Sequence, residues 1–273
     1  MWNAETAQRL NAWYLSPAGA FALVQENRMF QSLVSPWPRR GHTLLDVGCG
    51  AGVFLDMFWQ HGFDVTGFDN NVEALDAARV RLGNKADFQL GQADHLPFDD
   101  KTFDYAALLS VLEYFKNPQE VLAEAIRVSE RGVIVGFLNR FSAYALLETC
   151  ASRAKPDARR HGRWLNPWSL ARMAKRLCPG CRIVMRSVLF GSPSTWRDSR
   201  IWGRINSLQC PVALGAYVGM RIDTQPQVPL TPLFVKARER AMTVCSGLQP
   251  ETSREATFPD NHQPAAQRQI QKS

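Results

Sequence analysis

Leu44-Leu45-Asp46-Val47-Gly48-Cys49-Gly50-Ala51-Gly52 is the stretch whose reading decides the fold. Thr43 to Val47 reads as a buried strand, it passes directly into Gly-x-Gly-x-Gly, and Val53 to Trp59 then reads as a helix. Glycines at such a turn let the chain bend tightly and let a ligand come close to the backbone. The helix that follows offers unpaired N–H groups and the positive end of its dipole. A dinucleotide site usually has Gly-x-Gly-x-x-Gly; here the third glycine, Gly52, comes one position early and Val53 stands in the usual place. The turn also opens with an acid, Asp46, which suits a cationic amino group or sulfonium better than a pyrophosphate.

Reading outward, the second strand, Asp64 to Phe68, leads into Asp69-Asn70, with Asp69 placed where an acid at the end of strand two reaches a ribose diol. A carboxylate can accept from both hydroxyls of such a diol. A short third strand, Phe88 to Leu90, is followed by Gly91-Gln92-Ala93-Asp94-His95-Leu96-Pro97-Phe98, in which Asp94 could accept from an adenine amino group. Taken singly, an acid after a strand is an ordinary turn residue. Three of them at successive strand ends around a glycine turn describe one crevice at the carboxyl edge of a sheet.

The rest of the first half continues the alternation: a helix from Asn71 to Leu82, a strand from Phe103 to Leu109, a helix from Pro118 to Val128 and a nearly all-apolar strand from Gly132 to Phe137. Strands alternating with helices at this spacing predict a doubly wound, mostly parallel α/β sheet. Ahead of it, Phe21 to Leu33 reads as a helix, ended by Ser35-Pro36-Trp37-Pro38. Residues 1–40 are read as an N-terminal helical cap and 41–245 as the main domain, with an insertion near 191–211. Residues 246–273 are read as a disordered tail, being polar and poor in large apolar side chains.

The whole chain has 273 residues, 45% hydrophobic and 21% charged, the mix of an ordinary globular protein. Wholesale disorder and a fibrous repeat are excluded, and no run approaches the ~20 apolar residues of a membrane span. The N-terminus carries no signal-peptide pattern, which predicts a cytoplasmic protein. Six cysteines do not make a disulfide framework. Cys178 and Cys181 have C-x-x-C spacing without a second pair, so they read as a helix-to-strand turn rather than a metal site, and no metal is expected.

The net charge of +7 is uneven. Residues 1–140 carry 12 Lys+Arg against 17 Asp+Glu, whereas residues 141–204 carry 13 against 3. Asn166-Pro167 opens a helix whose Leu170, Met173, Ala174 and Leu177 share one face, with Arg172, Lys175 and Arg176 opposite. Trp164 and Trp168 lie beside it, a pattern that a helix in peripheral contact with a membrane also shows. A helix packed on the sheet with a solvated basic side is the simpler reading. Arg182 to Phe190 and Ala213 to Arg221 read as two further strands.

These features together resemble the class I S-adenosylmethionine-dependent methyltransferases, within them the bacterial type 11 group. Leu44 to Gly52 is similar to that family's first motif, Val65 to Asp69 to its second, and Ala93 to Phe98 with Phe103-Asp104 to its third and fourth. Val111 to Pro118 and Arg127-Val128 resemble the segment that follows, and Trp13 to Gly19 resembles an N-terminal element ahead of a helix that covers the cofactor. Tyr114 stands where many members have His, and Glu130-Arg131-Gly132 replaces a Pro-Gly-Gly turn.

The resemblance implies a seven-stranded Rossmann-like sheet and S-adenosyl-L-methionine as cofactor. It implies Gly48, Gly50 and Gly52 against the methionine portion, Asp46 supporting the turn and the cofactor's ammonium, Asp69 at the ribose and Asp94 at the adenine, with Cys49, Asn70 and Ala93 also in the cofactor site. Leu109 and Ser110 would lie near the transferring methyl. No catalytic base is named: Glu113 and Tyr114 stand where acceptor groups often sit, His95 reads as support for the adenine loop, and His161 as a surface residue. The acceptor is read as a small or lipid-like molecule rather than DNA. An RNA or protein substrate held by the basic 153–186 segment is the alternative, and a nucleotide-dependent oxidoreductase is disfavoured by Asp46 and the early Gly52. The oligomeric state is not read from the sequence.

Overall fold

The computed structural model describes residues 12–154, 163–211 and 213–225. These fall in the first of two units, 1–226; the second unit, 227–273, and with it the tail read over 246–273, lies outside the described residues. Seven strands form one sheet: β1 (Thr43–Val47), β2 (Asp64–Asp69), β3 (Ala86–Leu90), β4 (Phe103–Leu109), β5 (Ser129–Leu138), β6 (Arg182–Val188) and β7 (Tyr217–Asp223). Their order across the sheet is β3-β2-β1-β4-β5-β7-β6. β1 to β5 are mutually parallel, and β7 runs antiparallel between β5 and β6. This is the mostly parallel, doubly wound sheet expected from the alternation. The strand order reverses between β1 and β4, and a crevice opens there beyond the carboxyl ends of the strands.

The helices are α1 (Pro17–Val34), α2 (Val53–Gln60), α3 (Val72–Leu82), α4 (Pro118–Val128), α5 (Ala143–Ala154), α6 (Pro167–Leu177) and α7 (Trp202–Ser207). Their starts follow local chemistry. Ser16 accepts the Gly19 N–H at 3.1 Å with Pro17 in the first turn, which begins α1 four residues before the predicted Phe21. Asn71 caps α3 through the Ala74 N–H at 3.0 Å, and Asn166 caps α6 through Trp168 and Ser169. Leu170 and Ala174 of α6 are buried while Arg172, Lys175 and Arg176 are exposed, so its basic side is the solvated one.

Two apolar layers cover the sheet. One contains Met29, Phe30, Leu33, Leu44, Leu55 and Phe58, joining α1 and α2 to the strands. The other contains Leu45, Val47, Leu122, Val133, Val135 and Leu170, joining α4 and α6. α1 is pinned at its C-terminal end, where Arg221 Nη1 donates to the Leu33 carbonyl at 2.7 Å and Trp37 Nε1 to Asp223 Oδ1 at 2.8 Å.

The second half departs from its sequence reading at three points. β7 starts at Tyr217 rather than Ala213, because the preceding residues are held as a turn: Asn139 Nδ2 donates to the carbonyls of Ala213 and Gly215, each at 2.9 Å. β6 stops at Val188 rather than Phe190, since Leu189 has φ +67° and leaves extended backbone. α5 was not anticipated; its N-terminal turn is held by Ser142 Oγ, which accepts the Ala145 N–H at 3.1 Å. The stretch 191–211 forms a short turn at Pro193–Thr195 and the six-residue α7, organised by buried Asn206, which accepts the Gly191 N–H at 2.9 Å. Cys178 and Cys181 are free thiols in the turn between α6 and β6. Among the described residues no helix is long and apolar enough to cross a membrane.

Candidate active site

A cavity of about 700 Å³ opens at the carboxyl ends of β1, β2, β3 and β4. Asp46, Gly48, Cys49 and Gly50 line it from the end of β1; Asp69 and Asn70 from β2; Ala93 and Asp94 from the loop after β3; and Leu109 with Ser110 from β4. The acids anticipated at successive strand ends are thus gathered around one space. Gly52 is not part of its lining. It begins α2 with φ +75°, and a Cβ there would sit 2.8 Å from Leu82 Cδ1 and 3.1 Å from Ala78 Cβ. Gly52 therefore lets α2 and α3 approach each other, the close-packing role a third glycine has in such turns.

The turn itself is built from positive φ and from β2. Gly48, Gly50 and Gly52 have φ of +75°, +53° and +75°, in the region where a side chain is strained. Gly48 also has no room, since its Cβ would lie 2.5 Å from Val111 Cγ2. The Gly48 and Cys49 amides both donate to the Phe68 carbonyl, at 2.6 and 3.1 Å. Asp69 Oδ2 accepts the Gly50 N–H at 2.8 Å and Oδ1 accepts the Asn71 N–H at 2.9 Å.

Asp46 is only 2% exposed. Burial first and the neighbouring Asp69 second push its carboxyl up to about 7. Burial also raises Asp69, against the lowering effect of its backbone hydrogen bonds. Among the described residues no cationic side chain is one of the groups that act on either acid. A buried acid pair of this kind fits a ligand that brings its own positive charge. The glycine backbone on one side and the two acids on the other thus fit the amino acid end and ribose of S-adenosylmethionine.

At the β4 end, Ser110 takes φ +56°, unusual for a residue with a side chain. Its amide donates to the Gly136 carbonyl at 2.8 Å, and its hydroxyl shares a 2.8 Å hydrogen bond with the Tyr217 hydroxyl. Tyr14 and Tyr114 line the cavity beside it. Behind them lie two buried acids, Glu26 on α1 and Glu113 in the Leu112–Tyr114 turn, 7% and 3% exposed. Burial raises Glu113 to about 7; burial and then Glu113 raise Glu26 to about 8. Burial also lifts Tyr114 to about 12 and raises Tyr14 and Tyr217 well beyond the ordinary phenol range.

Sequence reasoning placed Glu113 and Tyr114 near the acceptor, and Tyr14 in an element ahead of a cofactor-covering helix, but missed Glu26 on α1 and Tyr217 on β7. One signal for Glu26 was available: it is an acid on the stripe Ala22, Glu26, Met29, Leu33, which is otherwise apolar. His95 is exposed and not part of the cavity lining, and His161 lies outside the described residues.

Residues 45–137 match the family model described as a methyltransferase domain. Over 111 residues the chain is 35% identical to the ubiquinone biosynthesis O-methyltransferase of Azoarcus sp. (strain BH72), covering 38% of this chain and 48% of that one. Over 151 residues it is 26% identical to the norajmaline N-methyltransferase of Rauvolfia serpentina, covering 53% and 51%. The chain thus spans about half the length of these curated relatives. Among solved structures, a SAM-dependent methyltransferase from Thermotoga maritima superposes with a TM-score of 0.63 at 20% identity, covering 81% of this chain and 97% of that one.

Proposed function

We propose that the chain is a class I S-adenosylmethionine-dependent methyltransferase of the type 11 group and that it methylates a small or lipid-like acceptor molecule. The observation that supports this best is the single cavity bounded by the Gly48–Gly50 turn, by Asp46 and Asp69, and by the Ser110–Tyr114 end of β4. When bound, S-adenosylmethionine supplies an electrophilic methyl on a sulfonium.

In this reading the chain's own residues bind and orient. The Gly48 and Gly50 backbone lets the methionine portion approach closely, and Asp46 takes its ammonium. Asp69 holds the ribose through lone pairs not used by Gly50 and Asn71, with Asn70 beside it. Asp94 takes the adenine amino group, with Ala93 against the ring. Leu109 and Ser110 border the space where the acceptor meets the methyl. Catalysis comes chiefly from holding the two reactants in line. The relatives' names also favour small acceptors, since one acts in ubiquinone biosynthesis and one on norajmaline.

The deciding experiment is calorimetric titration of the purified protein with S-adenosylmethionine and, in parallel, with NAD. Micromolar binding of the first and none of the second is the expected result. Binding of NAD alone would refute the assignment.

A further inference from the structure

The carboxyl edge of the sheet carries more than the cavity. Leu138 at the end of β5 pairs with Tyr217 at the start of β7, and Tyr217 pairs with Val188 at the end of β6. The segments that join these strand ends, 139–147, 163–168 and 189–216, are therefore gathered on the edge where the cavity opens. Main-chain hydrogen bonds tie them together. The Arg140 N–H donates to the Leu165 carbonyl at 3.0 Å, the Asn139 N–H to the Ala216 carbonyl at 2.9 Å, and the Ala216 N–H to the Leu189 carbonyl at 2.9 Å. A row of aromatic rings continues them to the cavity. Trp13, next to the lining residue Tyr14, meets Trp196; Trp196 meets Tyr144; and Tyr144 meets Trp164, with ring centroids 6.0, 5.2 and 5.2 Å apart. Arg163 reaches the rim as well, its guanidinium donating to the carbonyl of the lining residue Lys116 at 3.2 Å.

Large apolar side chains are exposed on these segments. Phe141, Leu146, Leu147 and Trp168 are 46–66% exposed, and the rings of Phe141 and Trp168 lie 5.3 Å apart. Ile201 and Trp202 are 69% and 41% exposed. Apolar surface grouped in this way and bordered by polar residues marks a contact. The charges beside it are nearly all of one sign. Arg140, Arg163, Arg197, Arg200 and Arg204 are exposed, and the three segments contain Asp198 as their one acid. Tryptophan and arginine around aliphatic side chains suit the headgroup level of a bilayer. The indole has an apolar body and a polar N–H, and arginine lays its stem on acyl chains while its charge stays among phosphates. A second copy of this chain would instead set arginine against arginine, which is repulsive.

We propose that this edge docks on the surface of an anionic lipid bilayer, with the mouth of the cavity turned towards it. This rests on the methyltransferase reading above and deepens it. The acceptor is a membrane-borne lipid, whose reacting polar end enters the cavity past Tyr14 and Arg163 while its apolar part stays in the bilayer.

The test is sedimentation of the full chain, saturated with S-adenosylhomocysteine, with vesicles of phosphatidylcholine alone or of phosphatidylcholine and phosphatidylglycerol in equal parts. Partitioning is expected to be at least roughly tenfold stronger onto the anionic vesicles and to fall as salt is raised. Trp168→Ser combined with Trp202→Ser should weaken it by roughly tenfold or more. Arg200→Glu combined with Arg204→Glu should remove the preference for anionic lipid. All four positions are exposed, so S-adenosylhomocysteine affinity and melting temperature should stay those of the natural chain. Should a variant fail to fold, the two vesicles and the salt series on the natural chain decide alone. Sedimentation with neither vesicle, equal sedimentation with both, or folded variants that sediment like the natural chain would overturn the proposal. So would a dimer in vesicle-free solution that the tryptophan substitutions dissociate, because the surface then belongs to a second copy. Binding of S-adenosylhomocysteine without vesicle binding removes this proposal and leaves the methyltransferase reading standing. Failure to bind S-adenosylhomocysteine removes that reading, and with it the entry of the acceptor from the membrane.

Discussion

Asp69 and Gly50 are joined by a 2.8 Å hydrogen bond, from the amide of the glycine turn to the carboxylate at the end of β2. The same carboxylate holds the Asn71 amide at 2.9 Å, at the start of α3. One side chain thus ties the turn after β1 to the turn after β2, and it also faces the cavity. Each of its oxygens retains a lone pair for a ligand hydroxyl.

Replacing Asp69 therefore acts on binding and on shape at once. A hydrogen bond to a charged group contributes about 1.5–3 kcal/mol. Asp69→Ala should weaken S-adenosylmethionine binding by roughly 10–100-fold, and Asp69→Asn, which keeps one acceptor oxygen, by less. Calorimetry measures both. Undiminished affinity in the alanine variant would remove Asp69 from the site.

Gly50 and Gly52 should separate binding from stability. A Cβ at Gly50 meets nothing within 4 Å, whereas at Gly52 it presses on Leu82 and Ala78. Both carry the strain of a positive φ, about 1–2 kcal/mol for a side chain. Gly50→Ala is expected to reduce cofactor affinity more than stability, because Gly50 lines the cavity. Gly52→Ala is expected to do the reverse. Melting and titration of the two variants side by side test the division, and identical profiles would contradict it.

The buried acids set a pH dependence. In the folded chain Asp46 and Glu113 hold their protons to about 7 and Glu26 to about 8. Unfolded, all three lose them near pH 4 to 4.5, close to the ordinary values of about 3.9 and 4.3. Between those limits the folded chain binds more protons than the unfolded one, so stability falls as pH rises through that window and levels off above about 8. Asp104 and Glu124, lowered by His42 and Arg127 among other partners, act oppositely, and their contribution is lost as pH falls below about 4. The ligand-free protein should melt highest near pH 5 and progressively lower towards pH 8. Asp46→Asn or Glu26→Gln should flatten that slope. A melting temperature that climbs from pH 5 to pH 8 would contradict the assignment.

The Arg221–Asp223 pair should matter more than a surface ion pair. Both residues are 4% exposed, Arg221 Nη2 lies 3.1 Å from Asp223 Oδ2, and together they anchor Trp37 and the end of α1. Removing one partner leaves the other charge buried, so Asp223→Ala should lower unfolding free energy by about 3–5 kcal/mol. A denaturant titration checks this. A change near zero would mean that the pair does not hold α1.

The parallel half of the fold was legible because it is local. β1 and β4 are short, mostly apolar runs, and β5 ends in one, and the turns that follow the strands carry glycine, asparagine or proline, so the chemistry lies within a few residues of the structure it produces. Thr43–Val47 and Phe103–Leu109 are found at the boundaries read from the chain, as is the helix Pro118–Val128. The glycine turn and its acids were legible for the same reason. Where a distant partner decides, the reading slipped: the start of β7 depends on Asn139, more than seventy residues earlier in the chain.

The sequence by itself determined the alternation of strands and helices, the turn at Gly48–Gly50 and the acids that follow each strand, since all of these are set by neighbours in the chain. Only the tertiary structure decided what those parts enclose. It moved Gly52 from the cavity wall to a helix contact, because the space beside a residue is a property of α2 against α3. It also set Glu26 of the N-terminal helix against Glu113 and Tyr217. Burial of acids beside one another arises here only when elements far apart in the chain close together, and no local pattern encodes it.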